Sequence, residues 1–246
     1  CVTVSPGDEA VRCSCPDCRK TVAEAGGHWV DGGSLIMATF VQRMCEAVKR
    51  RWPGKKVIYL PYWNYDTPCP EVNYPDNLVI MSAMTTYPMP LKAQRGNFED
   101  AIQRVRDFRA QTSFPVTTWD YSVAWTYGPY QYPHVVRDYY QAVKGLSAGT
   151  YINGLHLGEW TNTGPTMYVW MRLLWNPDLD VDAVLDEMCK RLYGKAGGTA
   201  REFIRLQCAL WQDGPWKNRR VKNRGAWGVP EHLFPQVWTP DVAQRL

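Results

Sequence analysis

The chain has 246 residues, 28 Lys and Arg against 24 Asp and Glu, and a formal net charge of +4. This length is enough for one large domain with a sizeable core. No basic face recurs along the chain, and we interpret its one basic run, residues 217–224, as a solvated loop; we therefore expect no nucleic-acid partner. No apolar run approaches the roughly 20 residues of a membrane span.

The aromatic composition favours Trp and Tyr, with 12 Trp and 14 Tyr beside only 6 Phe. Both side chains combine an apolar ring with a polar group, which suits surfaces that are partly hydrated. Sugar rings fit such surfaces, because their C–H faces lie on aromatic planes while their hydroxyls seek hydrogen bonds. The composition therefore points to a carbohydrate partner.

Both ends of the chain are expected to be cut. Cys1 leads directly into the strand-like run Val2–Val4 without an initiator Met or a signal-peptide pattern. At the other end, Thr239 and Pro240 are the N-cap and first residue of a helix that stops at Leu246. We expect an N-terminal part of the same protein to be missing and an extracellular or periplasmic location, although nothing in this segment specifies the compartment.

Hydrophobic periodicity predicts strands alternating with helices. In chain order the pattern predicts a strand at 2–5, a helix at 35–51 with Ser34 as its N-cap, strands at 56–62 and 78–83, a helix at 98–111, a strand at 115–121, a helix at 135–145, a strand at 151–157, and helices at 167–174, 181–192 and 199–211. Such alternation implies parallel pairing. The expected fold class is α/β, an incomplete (β/α)8 TIM barrel of about five parallel strands over residues 1–212. A linker and the start of a further helical region follow over residues 213–246.

In such barrels the active site lies at the C-terminal ends of the strands. Carboxylates follow three predicted strands, and the candidate catalytic residues are Asp8, Glu9, Asp120 and Glu159. Two carboxyl groups flanking a bond, one protonated and one ionised, are the minimum equipment for glycoside hydrolysis. Glu159 beside Trp160 suits the acid and Asp120 the ionised role, whereas Asp8 and Glu9 could equally cap the turn after the first strand.

Aromatic and polar residues share these strand ends. The candidate substrate-binding residues are Tyr62, Trp63, Asn64, Trp119, Tyr121, His156 and Trp160. We expect Trp63, Trp119 and Trp160 to line one cleft, and Trp52, Trp170 and Trp175 to pack in the helical shell. His156 has a second interpretation as a hydrogen-bonded inner residue.

A cysteine cluster, Cys13, Cys15 and Cys18, precedes His28 by ten residues. Three sulfurs and one imidazole would make a tetrahedral zinc site, but the spacing is not that of the common zinc fingers. Reduced thiols, or a disulfide with one of the remaining cysteines, are the alternatives. Our expectation is no metal and no cofactor.

Several segments together resemble a known family, domain of unknown function 4838. The segments are 5–8, 13–19, 59–62, 119–121, 154–159, 173–177 and 193–194. The resemblance covers roughly residues 1–212. This family contains catalytic barrels of bacterial glycoside hydrolases, including the family 163 endo-β-N-acetylglucosaminidases that act on complex N-glycans.

The resemblance implies a (β/α)8 barrel and retaining hydrolysis of β-linked N-acetylglucosamine-containing glycans, assisted by the acetamido group of the substrate. Asp8 and Glu9 resemble the adjacent carboxylate pair of the hexosaminidases, although the residue after this Asp is often small in the broader family. The alternatives are a catalytically silent carbohydrate-binding barrel, or another glycosidase of the α-glucuronidase-like or hexosaminidase-like kind.

Overall fold

The computed structural model describes residues 1–5, 7, 9–84, 97–120, 131–153, 160–212 and 239–244. Contacts divide the chain into two units. The sheet unit comprises Cys1–Thr85, Gln103–Trp119 and Gly145–Tyr151, and the helical unit comprises Thr86–Ile102, Asp120–Lys144 and Ile152–Leu246.

Five strands form one sheet in the order of the chain. They are β1 (Val2–Val4), β2 (Val57–Tyr59), β3 (Leu78–Met84), β4 (Val116–Asp120) and β5 (Ser147–Ile152). The pairings of β1 with β2 and of β2 with β3 are parallel. The α/β class with five parallel strands and flanking helices is therefore confirmed, and it is consistent with an incomplete α/β barrel.

The eight helices assigned in the described ranges are α1 (Pro16–Glu24), α2 (Trp29–Arg51), α3 (Asn97–Gln111), α4 (Pro133–Ala142), α5 (Trp160–Trp175), α6 (Val181–Tyr193), α7 (Gly197–Gln212) and α8 (Pro240–Gln244). Short 3-10 helices occupy Trp63–Tyr65 and Gly194–Ala196. None of the helices that the structure describes is both long and apolar enough to cross a bilayer.

The sheet has one buried face and one half-exposed face. Side chains alternate along a strand, and Val57, Leu78 and Ile80 are buried while Ile58 and Val79 between them are not. The register aligns Ile58 with Val79, so residues that share a face are neighbours. This alternation supplies a core on one side of the sheet and leaves the other side partly open.

Helix α2 begins six residues before the predicted start, at Trp29 instead of Leu35. Ser34, predicted as the N-cap, is buried inside the helix, and its hydroxyl accepts a hydrogen bond from the backbone N–H of Thr67 at 3.2 Å. Gly32 and Gly33 look like helix breakers in the sequence, yet both lie in the helix because tertiary packing needs close approach there. A Cβ on Gly32 would stand 2.5 Å from Val22 of α1.

The fifth strand was also misplaced. The sequence predicted it at 151–157, whereas β5 covers Ser147–Ile152 and α5 begins at Trp160. The segment before Tyr151 reads as a turn because it is polar and contains Gly149 at φ 136°. His156 and Glu159, predicted at the end of this strand, lie outside the described residues, and Trp160 is the first residue of α5.

The helical unit packs consecutive helices around Trp170 of α5. Trp170 is fully buried, and its indole N–H donates to the hydroxyl of Tyr140 in α4 at 2.9 Å. Pro165 interrupts the hydrogen-bond ladder of α5, and the N–H of Thr166 instead donates to the side chain of Gln131 at 3.0 Å. Trp175 ends α5 with 93% of its surface exposed, and Trp52 after α2 is 52% exposed, so the expectation that these two residues pack in the shell was wrong.

Candidate functional site

The C-terminal edge of a parallel sheet gathers the segments that follow its strands. In the sheet unit these segments are the loop after β1, residues 5–15, and the turn after β2, residues 60–66. We call them the β1 loop and the β2 turn. The last residues of β4 and β5 reach the same edge.

Trp63 in the β2 turn has an unusual backbone. Its φ is +51°, and it is the one non-glycine residue with positive φ in the described part of the chain. For a bulky side chain this left-handed conformation costs on the order of 1–2 kcal/mol. The ring is 46% exposed and meets the buried ring of Tyr62 edge-on at 5.7 Å. The turn therefore holds a strained, exposed aromatic face next to a strand end, a pattern associated with functional sites.

Asn64 joins the β2 turn to the β1 loop. Its side-chain oxygen accepts the backbone N–H of Val11 at 2.8 Å, and its amide nitrogen donates to the carbonyl of Val11 at 2.8 Å and to that of Trp29 at 3.0 Å. Both amide hydrogens are thereby used. Asn64 therefore holds the β1 loop in place, and its predicted role in substrate binding stays a prediction.

Gly33 makes this joint possible from the side of α2. A Cβ at this position would stand 2.6 Å from the backbone oxygen of Asn64 and 2.8 Å from its side-chain nitrogen. Only glycine lets the helix approach the β2 turn so closely. The start of α2, the β1 loop and the β2 turn are therefore packed as one rigid corner of the sheet unit.

A second aromatic surface lies at the ends of β4 and β5. The rings of Trp119 and Tyr151 are 4.2 Å apart between centroids and tilted by 36°. Val116, Thr118 and Asp120 are buried and share one face of β4. Trp119 lies between them in the strand, so its side chain is on the opposite, more open face of the sheet. Tyr151 is 49% exposed. Sequence analysis missed Tyr151 because it was placed at the start of its strand, although it lies at the end.

Two of the four predicted catalytic carboxylates are described. Asp120 is the last residue of β4 and is completely buried, and its backbone carbonyl accepts the N–H of Asn153 at 2.8 Å. It belongs to the helical unit by its contacts. Glu9 lies in the β1 loop of the sheet unit and is exposed. Asp120 is therefore shielded from solvent, whereas Glu9 is accessible to it.

The remaining predicted site residues fall outside the described residues, wholly or by their side chains. Asp8, Tyr121, His156 and Glu159 lie in undescribed positions. Trp160 is described only as the first residue of α5. The predicted cleft shared by Trp63, Trp119 and Trp160 therefore stays a prediction.

An ion pair links the β2 turn to helix α3. Asp66 and Arg104 approach to 2.7 Å, with 14% and 25% of their side chains exposed. Neither Asp66 nor Arg104 was among the candidate site residues predicted from the sequence. The two residues are far apart in sequence and no local motif links them, so no signal in the sequence identified the pair.

The cysteine cluster is assembled at the start of α1. The sulfurs of Cys13, Cys15 and Cys18 all lie within 4.8 Å of one another. Hydrogen bonds from the backbone N–H of Cys18, and from the thiols of Cys13 and Cys18, hold the pKa of Cys15 below its ordinary value. The hydrogen bond to Cys15 raises the pKa of Cys18 to about 12. His28, the fourth zinc ligand considered from the sequence, is described but does not belong to this group.

Comparison with known protein families gives a match. The profile of a family described as a domain of unknown function, DUF4838, matches residues 1–205. No curated protein and no solved structure match the chain.

Proposed function

The chain belongs to the DUF4838 family, and we propose that it is part of a glycoside hydrolase acting on β-linked N-acetylglucosamine-containing glycans. The observation that carries the proposal is Trp63, an exposed ring held at φ +51° beside the C-terminal end of β2. A strained conformation persists only where the surroundings impose it, and such residues concentrate at ligand sites.

The aromatic surfaces suit the apolar faces of sugar rings. Trp63 follows β2, and Trp119 and Tyr151 end β4 and β5. Because β2 and β4 are separated by one strand, the backbones of these two strands are about 9–10 Å apart. This spacing is enough to hold two successive rings of an oligosaccharide.

The proposed chemistry uses two carboxyl groups and the substrate itself. The acetamido oxygen attacks the anomeric carbon, the bond to the leaving oxygen breaks, and an acid donates its proton to that oxygen. Glu159 is the proposed acid, and Asp120 is the carboxylate that accepts the acetamido N–H. The Glu159 carboxylate then takes a proton from water, which attacks the anomeric carbon from the face that the leaving group occupied. The bond between that carbon and the acetamido oxygen breaks, so the configuration is retained.

Asp8 and Glu9 are the alternative acids. Glu9 is exposed in the β1 loop, and Asn64 fixes that loop through Val11, so it can present Glu9 in a constant position. An exposed carboxyl lacks the desolvated surroundings that favour a general acid. We therefore prefer Glu159 to Glu9 as the proposed acid.

The first experiment asks whether the full-length protein cleaves a glycan. The protein is incubated with N-glycans and with oligomers of N-acetylglucosamine, and products are identified by mass spectrometry and proton NMR. We expect products whose first-formed anomer is β. Glu159→Gln is expected to lose about 10²–10⁴-fold in kcat, the usual contribution of general acid catalysis, and to lose less on substrates with a good leaving group.

The second experiment tests the aromatic surface with a matched control. Trp63→Ala removes the exposed ring after β2, whereas Trp52→Ala removes a similarly exposed ring at the end of α2, before β2. We expect Trp63→Ala to weaken oligosaccharide binding about 2–12-fold, equivalent to 0.5–1.5 kcal/mol, and Trp52→Ala to leave it unchanged. Equal effects of the two changes would contradict a sugar platform at Trp63.

A catalytically silent carbohydrate-binding barrel is the second candidate. It is favoured by the exposed position of Trp63 and Tyr151, since aromatic surfaces bind sugars without any carboxylate. Calorimetric binding that depends on Trp63, with no product from any glycan, would support this candidate over the hydrolase.

A further inference from the structure

Contrary to the expectation from the sequence spacing, we propose that Cys13, Cys15 and Cys18 form a binding site for one Zn²⁺ ion, separate from the proposed sugar site. Their three sulfurs lie within 4.8 Å of one another. In a tetrahedral zinc site with Zn–S bonds of about 2.3 Å, sulfurs stand about 3.8 Å apart. Shifts of about 1 Å or less therefore convert the observed cluster into a coordination shell.

The backbone of α1 already holds two of the three ligands. Cys15 is the N-cap with φ −67° and ψ 153°, Pro16 is the first helical residue, and Cys18 lies in the first turn. The Cys15 sulfur accepts the backbone N–H of Cys18 at 3.4 Å, and the carbonyl of Cys15 accepts the N–H of Arg19 at 3.1 Å. Such N–H groups at a helix start stabilise the thiolate form that binds a metal.

The third ligand comes from an anchored segment. Cys13 lies two residues beyond Val11, whose N–H and carbonyl are both bound by Asn64. Helix α1 is held separately, since Val22 packs against Gly32 of α2. The metal would therefore bridge two elements that the sheet unit already fixes, the β1 loop and the start of α1.

The ligand set selects the metal. Three thiolates favour soft or borderline ions such as Zn²⁺, whereas Mg²⁺ and Ca²⁺ require oxygen ligands. His28 follows the far end of α1, beyond a helical segment from Cys18 to Glu24 that is about 9 Å long, and it does not belong to the cluster. Among the residues that the structure describes, the cluster offers three ligand groups. We assign the fourth position to a water molecule.

Binding exchanges protons for the metal. Each coordinating sulfur enters the site as a thiolate, so every thiol that is protonated beforehand releases one proton to solvent. No oxidant is required. A disulfide between two of these cysteines would instead remove two ligands, and it is an outcome of the test.

The test uses the full-length protein, purified with reductant, stripped of metal and titrated with Zn²⁺ alone and then with Co²⁺ alone. We expect one equivalent of zinc per chain by elemental analysis and native mass spectrometry. Cobalt is expected to give thiolate charge-transfer absorption and the visible bands of a tetrahedral ion. Cys13→Ser, Cys15→Ser and Cys18→Ser should each weaken zinc binding more than about 100-fold, because they remove a direct ligand rather than an outer hydrogen bond.

Cys1→Ser is the matched control, since Cys1 is an exposed thiol outside the cluster. It should bind zinc like the unaltered protein. Circular dichroism and hydrogen exchange of α2 show whether each variant is folded, and Ser is nearly isosteric with Cys. The proposal is overturned by zinc uptake that the three Ser variants retain, by no stoichiometric uptake in the folded, reduced protein, or by a cluster disulfide that persists under reductant.

Discussion

The side chain of Asn64 binds the backbone of Val11 on both sides, accepting its N–H and donating to its carbonyl, each at 2.8 Å. The side-chain amide thus bonds to Val11 in the way that a backbone peptide group bonds to a residue of a neighbouring strand. It fixes the β1 loop, which carries Glu9 on one side of Val11 and Cys13 on the other. The proposed sugar and zinc sites therefore depend on the same joint.

Replacing Asn64 with Ala removes three hydrogen bonds to backbone groups. At about 0.5–1.5 kcal/mol net for each bond, we expect a loss of about 1.5–4.5 kcal/mol in the free energy of unfolding, measured with urea. Hydrogen exchange should also accelerate at Val11. Asn73→Ala, at an exposed position of the same unit, is the control and should change neither quantity. Unchanged exchange at Val11 in Asn64→Ala would show that the loop is held by other contacts.

Substitutions at Trp63 should reveal its backbone strain. Ala keeps a Cβ that is unfavourable at φ +51°, whereas Gly adopts this conformation freely. We expect Trp63→Gly to be more stable than Trp63→Ala by about 1 kcal/mol in urea unfolding, the reverse of the usual order. At Trp52, where φ is −140°, the Ala variant should be the more stable. The same order at both positions would argue against strain at Trp63.

The Asp66–Arg104 pair should contribute more to stability than an exposed pair. Asp66→Asn leaves the Arg104 guanidinium partly buried without its carboxylate, and we expect a loss of about 1–3 kcal/mol in the free energy of unfolding. The control is Asp76→Asn, which removes a pair with Lys49 whose side chains are 63% and 56% exposed. The loss in the control should be clearly smaller, because solvent screens the exposed pair. Equal losses would mean that burial of Asp66 does not strengthen its interaction.

The exposed Asp76–Lys49 pair nevertheless predicts that the free energy of unfolding depends on pH. The hydrogen bond and charge of Lys49 hold the pKa of Asp76 below its ordinary value. A carboxyl group whose folded pKa is depressed stabilises the fold above its unfolded pKa, and this contribution disappears as pH falls through the folded pKa. The stability difference between the protein and Asp76→Asn should therefore be present at neutral pH and shrink as pH falls below the ordinary pKa of an Asp side chain. A difference that persists at lower pH would show that it does not arise from this charge.

Thiol reactivity should distinguish the cysteines in the reduced, metal-free protein. The pKa of Cys15 is lowered by its hydrogen bonds, whereas burial raises the pKa of Cys45 to about 12. Since the thiolate is the reactive form, iodoacetamide should modify Cys15 first near neutral pH and Cys45 last, as followed by peptide mass spectrometry. Added Zn²⁺ should protect Cys15, whereas Cys1, the exposed control, should react at an unchanged rate. Modification of Cys45 ahead of Cys15 would contradict this order.

Whether a segment is a helix or a strand could be predicted from the sequence where its hydrophobic pattern is strong. The strands predicted at 56–62 and 78–83 contain short continuous apolar runs between turn signals, and both segments contain strands of one parallel sheet. Helix 181–192 was also placed almost correctly, because Asp180 caps its start with two hydrogen bonds and Gly194 ends it. Local propensity and tertiary structure agree at these positions.

Tertiary structure decided the features that local patterns contradict or do not contain. Gly32 and Gly33 signal a helix break, but the space beside Val22 and Asn64 requires glycine within a helix. The left-handed backbone of Trp63 and its exposure also have no signature in the residue order. The amide of Asn64 could serve a substrate or a backbone segment equally well by its chemistry. Its partner lies 53 residues away in the chain, so only the folded arrangement of the β1 loop and the β2 turn determines the choice.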